Sequence, residues 1–326
     1  MNLSGLLSKY YSISIIGMCK NAGKTTVLNK LVEEFSARGL TLGLTSVGRD
    51  GESTDVVTIT PKPEIFAPKG TLVATAKRLL NFGTTTNEIL AATGINTPLG
   101  EVIVFRALSR GFIQIAGPSI TGQLKEISEL FKKHGADKML IDGAVSRRSL
   151  SSAAVSEATV LSTGASLSPD LDEVAAATAF AVKTLTLPIC QTVFPEPSKK
   201  YIMLVNGEFV HTDNELVEIS AGKKADAVYF SGGLTDAALK PLIAKNTDLE
   251  GTEFAAFDGS RIFLREKVYN QLIAKGARLT VKNDVNLTAV TVNPVSAYGY
   301  AFDAEELKNA VQKQIDIPVY DVKRDL

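Results

Sequence analysis

The chain has 326 residues, of which 45% are apolar, so it can bury one large core or form two domains of ordinary size. Lysine plus arginine and aspartate plus glutamate balance at 35 each, which gives no reason to expect a nucleic-acid partner. Two distant cysteines favour a reduced, cytoplasmic protein without disulfides. Two histidines exclude a multi-histidine metal site, and no apolar run approaches the roughly 20 residues of a membrane span.

The first predicted elements are a strand, a helix and a second strand. A short apolar run predicts a buried strand at 12–16, and a second predicts a strand at 42–47. Between them, apolar residues recur with a period of 3.6 over 25–38, which predicts an amphipathic helix that ends at Gly39. A strand, loop, helix and strand in this order require a parallel sheet.

The following segments continue this alternation. Helices are predicted at 71–80, 87–92, 121–134 and 171–183, a hairpin at 101–108 and 112–116, and strands at 138–141 and 159–163. Strands that alternate with helices predict an α/β fold with a doubly wound, mostly parallel sheet. We expect this first domain to span 1–190.

A domain boundary is predicted near residues 188–198, where three prolines discourage both helix and central strand. Beyond it, strands are predicted at 227–230, 254–257 and 287–292, helices at 235–245, 266–275 and 305–314, and an extended end at 317–322. The pattern predicts either a smaller α/β domain at 198–326 or an extension of the first sheet.

The central motif is the loop between the first strand and the first helix, Gly17-Met18-Cys19-Lys20-Asn21-Ala22-Gly23-Lys24-Thr25-Thr26. Small residues let backbone N–H groups surround phosphate oxygens, and the helix N-terminus adds partial positive charge. Lys24 is expected to bridge the β- and γ-phosphates, and the Thr25 hydroxyl to bind Mg²⁺. The predicted nucleotide-binding residues are Gly17, Lys20, Asn21, Ala22, Gly23, Lys24, Thr25 and Thr26.

Carboxylates for magnesium are predicted at two strand ends. Asp142 ends the buried strand at 138–141, the position of an aspartate that holds Mg²⁺ directly or through water, and we expect it to act in catalysis together with Lys24. Asp50 or Glu52, after the second strand, would complete the magnesium shell, or the segment is a solvent-exposed turn. Further candidates around the site are Arg49, the arginines of Ser146-Arg147-Arg148-Ser149, and Gly117-Pro118-Ser119.

The sequence lacks the short motif by which many nucleotide-binding proteins recognise guanine. Guanine recognition commonly uses Asn-Lys-x-Asp after a buried strand, and neither Lys245-Asn246-Thr247-Asp248 nor Lys282-Asn283-Asp284 matches it. ATP is therefore favoured modestly over GTP.

The phosphate loop also carries a family resemblance. Five residues separate Gly17 from Gly23, one more than in the usual motif, and this spacing resembles dethiobiotin synthetase and the cobyrinic acid amide ligases, a branch of the P-loop NTPases. Many members of that branch carry a second loop lysine that reaches the nucleotide of a dimer partner. Lys20 lies one place off that position, so a homodimer and a role of Lys20 in it stay open.

Longer stretches point to one family within the P-loop proteins. Residues 14–26 and 43–52, together with Gln114-Ile115-Ala116-Gly117-Pro118 and Leu140-Ile141-Asp142-Gly143-Ala144, resemble the smaller subunit of the reactivase for adenosylcobalamin-dependent lysine 5,6-aminomutase, found in lysine-fermenting anaerobes. The resemblance covers roughly residues 10–190. It implies an ATPase that helps to exchange damaged cobalamin, with a larger ATPase subunit and the aminomutase as partners.

Two other functions stay open on the sequence. One is an ATP-dependent carboxylate ligase or kinase of the dethiobiotin synthetase or cobyrinate type, with a substrate pocket walled by Lys62, Lys69 and residues 101–116. The other is a nucleotide-sensing interaction protein with little hydrolysis.

Overall fold

The structure is a computed structural model that describes residues 2–47, 64–118, 120–143, 156–214, 216, 224–244 and 248–325. The chain divides into two compact units, one formed by Met1–Ala181 with Asn286–Leu326 and the other by Val182–Val285. Within the described ranges, no helix combines the length and the apolar character needed to cross a membrane.

The first unit is built on a nine-stranded sheet. With strands numbered in chain order through the whole molecule, the strands of this unit are β1 (Ser12–Gly17), β2 (Leu42–Ser46), β3 (Ile65–Ala67), β4 (Leu72–Ala76), β5 (Asn87–Thr97), β6 (Gly100–Ala107), β7 (Gly111–Ile113), β8 (Lys138–Asp142), β9 (Ala158–Gly164), β17 (Leu287–Asn293) and β18 (Val319–Asp321). The sheet order is β18-β17-β9-β1-β8-β2-β4-β6-β5. Every neighbouring pair from β18 to β4 is parallel, and β6 is antiparallel to both of its neighbours. The predicted α/β fold with a large, mostly parallel sheet is confirmed.

Helices cover both faces of this sheet. They are α1 (Leu3–Leu7), α2 (Lys24–Ala37), α3 (Thr121–Lys133), α4 (Leu171–Leu185) and α7 (Ala304–Gln312). The apolar stripe of α2 is fully buried and joins α1 and the inward residues of β1 in one core cluster. A second cluster contains α3 and the alternate residues of β4, β6 and β8. Because side chains alternate between the faces of a strand, the two clusters lie on opposite faces of the sheet.

Contact between α3 and the sheet depends on Gly43 in β2. A Cβ built on Gly43 would lie 2.4 Å from the ring of Phe131, which is fully buried. Only a residue without a side chain therefore lets the Phe131 ring pack directly onto the strand.

Two predicted helices are wrong. Residues 71–80 form β4 and a 3-10 helix at Lys77–Phe82, and residues 87–92 lie in β5. All five residues of β4 are buried, because β2 and β6 flank it and the sheet is covered on both faces, so it has no alternation to distinguish it from a helix. In β5 the helix-favouring residues Glu88, Leu90 and Ala91 are overridden by pairing with β6.

The predicted hairpin of 101–108 with 112–116 is also wrong. The hairpin in this region is formed by β5 and β6. Its turn lies directly before Gly100, which has a positive φ of 102°. β7 instead pairs with β3 in a separate two-stranded antiparallel sheet. Tertiary pairing thus decides which neighbours these short strands take.

The second unit holds a five-stranded sheet. Its strands are β10 (Tyr201–Val205), β11 (Glu208–Thr212), β12 (Ala227–Phe230), β14 (Glu253–Ala256) and β16 (Arg278–Val281), in the order β11-β10-β12-β14-β16. A two-stranded sheet pairs β13 (Leu234–Thr235) with β15 (Ile262–Phe263), and the helices are α5 (Asp236–Ala244) and α6 (Glu266–Ala274). Asn206 and Gly207, both at positive φ, form the two-residue turn between β10 and β11.

The domain boundaries differ from the prediction. The expected second domain, 198–326, extends too far, because residues 286–326 belong to the first unit, and the first unit's N-terminal part ends at Ala181 instead of residue 190. The reason is strand pairing: β17 pairs with β9 over six positions and β18 pairs with β17. This C-terminal segment therefore extends the first sheet, which was the alternative left open on the sequence.

Candidate functional site

Several strands of the first sheet end together at its carboxyl edge. Ser46 at the end of β2 is in register with Asp142 at the end of β8, and Gly17 at the end of β1 is in register with Ser162 in β9. On the other side, Asn293 at the end of β17 is in register with Gly164. In parallel α/β sheets this edge is where ligands bind. The loop of residues 17–24 leaves the sheet in the middle of this edge.

The loop turns into α2 through two left-handed residues. Asn21 has a φ of 58° and Gly23 a φ of 93°, and Gly23 is the N-cap of the 14-residue helix that begins at Lys24. Glycine adopts this conformation without strain, and asparagine is among the few other residues that tolerate it. The turn brings the helix N-terminus, with its partial positive charge, to the carboxyl edge of the sheet.

The side chain of Lys24 folds back over the start of the loop. A Cβ built on Gly17 would lie 2.9 Å from both Cδ and Nζ of Lys24. The absence of a side chain at Gly17 is therefore what lets the lysine lie across the loop. The close packing of the Lys24 side chain on Gly17 thus gives a physical reason for a glycine at the first position of the loop.

The surroundings of Lys24 disfavour its positive charge. Burial lowers the pKa of Lys24 below the ordinary value for lysine, while the Asp142 carboxylate and Cys19 act in the opposite direction. Burial also raises the pKa of the Cys19 thiol, against the opposing effect of Lys24. The Lys24 ammonium is thus partly desolvated, and the neighbouring groups offset only part of the cost of this desolvation. A phosphate group placed there would therefore gain a strong charge–charge interaction.

Asp142 lies on β8, next to β1, the strand that leads into the loop of residues 17–24. It is in register with Ile15 of β1, the adjacent Gly143 N–H donates to the Ile15 carbonyl at 2.9 Å, and the Asp142 carboxylate is near enough to act on the pKa of Lys24. Lys24 and Asp142 thus interact at this edge of the sheet, and their shared role in catalysis stays a prediction. Thr25 is half-buried in the first turn of α2, and Thr26 is exposed.

The oxygen donors fit magnesium rather than a softer metal. Carboxylate and hydroxyl oxygens, as on Asp142 and Thr25, are hard ligands of the kind Mg²⁺ prefers. Among the described residues, no group of three or more His, Cys, Asp or Glu side chains could hold a metal ion. Magnesium here would therefore take its remaining ligands from phosphate oxygens and water, which is its usual behaviour. Asp50, the other predicted ligand, lies outside the described residues.

The segment of Gly117 and Pro118 lies against the end of β2, next to Asp142. The Gly117 N–H donates to Ser46 Oγ at 3.0 Å, and a Cβ on Gly117 would lie only 2.0 Å from the Ser46 carbonyl oxygen. Gly117 and Pro118, two of the further candidates around the site, thus lie at the carboxyl edge of the sheet. Five other predicted features, Ser119, Arg49, Glu52, Lys62 and the segment 146–149, lie outside the described residues.

Lys69 is not part of this edge. It is exposed in the turn before β4, and β4 runs parallel to β2, so Lys69 lies at the amino edge of the sheet. The carboxyl end of β4 is instead Ala76, which pairs with Val102 of β6 and whose backbone N–H donates to the carbonyl of Ala116 at 2.9 Å. Of the described residues of the predicted substrate wall, Lys69 therefore lies away from the carboxyl edge and Ala116 lies beside it.

Two residues at the site were not predicted from the sequence. Asn293 Nδ2 donates to the backbone carbonyl of Asn21 at 3.0 Å, and a Cβ on Gly23 would lie 3.2 Å from Asn293 Cβ and 3.3 Å from Val322 Cγ1. The available signal was Asn293-Pro294 directly after the predicted strand 287–292. Its meaning depended on that strand joining the first sheet, which the sequence left open.

Comparison of the chain with protein-family models, with curated proteins and with solved structures finds no significant match.

Proposed function

We propose that the chain binds a nucleoside triphosphate with Mg²⁺ at the loop of residues 17–26 and hydrolyses it. The observation that carries this proposal is the half-buried Lys24 folded over Gly17, at a helix N-terminus and next to the strand that ends in Asp142. Asp142 and Cys19 offset the burial of this cation only in part, and contact with phosphate would offset the remainder.

Lys24, Thr25, Asp142 and the two loop glycines have distinct roles in this proposal. Lys24 binds the β- and γ-phosphates, and the loop amides and the α2 N-terminus bind phosphate oxygens. Thr25 and Asp142 would hold Mg²⁺, which neutralises charge that develops on the phosphates. Gly17 and Gly23 provide the space and the backbone conformation that this loop needs.

We further propose, on the resemblance of residues 10–190, that the triphosphate is ATP and that its hydrolysis drives a reactivating factor for lysine 5,6-aminomutase. In this proposal the chain is the smaller subunit, and a larger ATPase subunit and the aminomutase are its partners. Binding and hydrolysis would shift the complex between two states with different affinity for the damaged cofactor. The ligase or kinase alternative is less favoured, because Lys69 lies at the opposite edge of the sheet from the loop.

The nucleotide site is tested by calorimetric titration with MgATP and MgGTP and by phosphate release. Lys24→Ala should abolish binding and hydrolysis, because it removes the cation that faces the phosphates. The matched control is Lys30→Ala on the same helix, where the lysine pairs with Glu33 at 3.2 Å on the surface. Wild-type affinity in Lys24→Ala would refute the proposed site, whereas loss in both variants would indicate general damage to α2.

The partner is tested separately with lysine 5,6-aminomutase inactivated by a damaged corrinoid. Recovery of aminomutase activity should require the chain, the larger subunit, MgATP and free adenosylcobalamin, and should fail with Lys24→Ala. If the chain hydrolyses ATP but the aminomutase neither recovers nor changes the hydrolysis rate, the reactivase assignment is wrong and the nucleotide site stands. Stimulation by a small carboxylic acid alone would instead favour the ligase.

A further inference from the structure

The middle of the phosphate loop is held by a residue from the far end of the chain. The side-chain amide of Asn293 donates to the carbonyl of Asn21, 272 residues earlier in the sequence, at 3.0 Å. Asn21 is the one residue of the loop other than glycine that has a positive φ. Asparagine tolerates this conformation better than most residues but is still strained in it, so contacts with its surroundings stabilise it.

The orientation of the Asn293 amide is determined by its two partners. Its Oδ1 accepts the backbone N–H of Val295 at 3.2 Å, and its Nδ2 faces the Asn21 carbonyl. An N–H group can only donate and a carbonyl can only accept, so the reversed amide would lose both hydrogen bonds. Asn293 therefore acts on the loop specifically as a donor.

Asn293 is itself fixed to the sheet. It ends β17 in register with Gly164, and its carbonyl accepts the N–H of Ala165 at 2.9 Å. A Cβ on Gly164 would lie 2.2 Å from that carbonyl, so the close approach of the two strand ends depends on this glycine. The donor that holds the loop is thus built on a rigid element, as a positioning group requires.

The loop is anchored at its two ends as well. At its start, the Met18 N–H donates to the Ser162 carbonyl at 2.9 Å. At its end, Gly23 packs closely against Asn293 and Val322, where a Cβ would lie 3.2 and 3.3 Å from their side chains. Between these anchors, the Asn293 bond fixes one peptide plane. Because a trans peptide is planar, holding the Asn21 carbonyl towards β17 turns the following N–H, that of Ala22, away from β17.

We infer that Asn293 is a positioning residue of the phosphate loop, whose side-chain donor holds Asn21 in the left-handed conformation that the anion-binding form of the loop requires. This inference rests on the proposed function for its consequence, which is tighter phosphate binding. The C-terminal strands, which follow the second unit in the chain, thereby complete a loop formed by residues 17–23.

The test uses Asn293→Asp, which keeps the size of the side chain and the acceptor for Val295 but removes the donor. The matched control is Asn286→Asp, directly before the first residue of the same strand, where the Asn286 Nδ2 donates to the Glu157 carbonyl at 2.7 Å. Both variants lose one amide-to-carbonyl bond, and Asn286→Asp should lower the melting temperature less, because its bond is exposed whereas that of Asn293 is partly buried. Only Asn293→Asp should affect the phosphate loop.

The first measurement is hydrogen–deuterium exchange of the peptide covering residues 17–26, without nucleotide. Exchange should be faster in Asn293→Asp and unchanged in Asn286→Asp, because only the first variant frees the loop. Unchanged exchange in Asn293→Asp would overturn the inference whatever happens to binding. This measurement does not depend on the proposed function.

The second measurement is the affinity for MgATP and for magnesium tripolyphosphate. Asn293→Asp should weaken both by the same factor, roughly ten- to hundredfold, because a carboxylate now faces the Asn21 carbonyl. Weakening of MgATP alone would overturn the inference, since it would place Asn293 at the nucleoside. If the wild type binds neither ligand although exchange responds to Asn293→Asp, the proposed function fails, and with it the role of Asn293 in phosphate binding.

Discussion

Gly17→Ala is expected to separate nucleotide binding from stability. Its new methyl group would lie 2.9 Å from Cδ and Nζ of Lys24 and 3.0 Å from Cγ, so these contacts must lengthen. All three atoms belong to a flexible side chain that can change rotamer, at a cost of about 0.5–1.5 kcal/mol. Gly17 is not among the residues with positive φ, so alanine fits its backbone and stabilises by about 0.4–1 kcal/mol through the unfolded state. The net change in the free energy of unfolding should stay within about 1 kcal/mol.

The effect of Gly17→Ala on function should be much larger. An ordinary van der Waals separation from the new methyl group requires the Lys24 ammonium to move by about 0.5–1 Å, and misplacement on that scale costs on the order of a hundredfold in rate. MgATP hydrolysis and calorimetric titration measure the loss, and urea unfolding measures the stability. Wild-type affinity for MgATP in a folded Gly17→Ala variant would refute the argument that Lys24 must lie across Gly17.

A second glycine provides the contrast that makes this result interpretable. In Gly117→Ala the methyl group would lie 2.0 Å from the backbone carbonyl of Ser46, which cannot move without shifting β2. Gly117→Ala should therefore lower the free energy of unfolding by at least about 1–3 kcal/mol, the usual cost of overpacking. If Gly17→Ala destabilises the protein as much as Gly117→Ala does, Gly17 is a structural residue and the loss of binding carries no information about Lys24.

Three further predictions concern the core, the loop cysteine and the second unit. Phe131→Ala should lower the free energy of unfolding by about 3–5 kcal/mol because it leaves a cavity, whereas Gly43→Ala, which crowds the same ring, should lower it by about 1–3 kcal/mol. Urea unfolding measures both changes. A larger loss in Gly43→Ala than in Phe131→Ala would contradict the packing argument. Because burial raises the pKa of the Cys19 thiol, alkylation of Cys19 should be slow at pH 7 and faster as the pH rises, and MgATP should slow it further. Mass spectrometry measures the alkylation rate of Cys19, with Cys190 as the reference. A lack of protection by MgATP would count against the proposed site. Burial of Glu253 opposes its ionisation, but hydrogen bonds from residues 191 and 192 outweigh this effect and lower its pKa. The ionised Glu253 therefore stabilises the second unit above about pH 4.5, and this stabilisation is lost as the pH falls further. Glu253→Gln should flatten the dependence of the free energy of unfolding on pH in this acid range.

Local sequence patterns predicted much of the first sheet. The strands around 12–16, 138–141 and 159–163 and the helix around 25–38 are confirmed to within a few residues. Each has a signal that acts over short distances: a short apolar run that must be buried, or a stripe at the helical period. The failures at 71–80 and 87–92 occur where a strand carries no such alternation or contains helix-favouring residues, so that only its neighbours decide its conformation.

The sequence by itself determined that Gly17, Gly23 and Lys24 belong to one loop between a buried strand and a helix, because residues so near in the chain meet through local geometry. Only the tertiary structure decided that residues 286–326 return to the first sheet and that Asn293 and Val322 contact this loop. Parallel strands carry no local mark of their partners, since the pairing of β17 with β9 joins residues about 130 positions apart. The residues predicted to bind phosphate are thus local, while the contacts that hold them in place come from the far end of the chain.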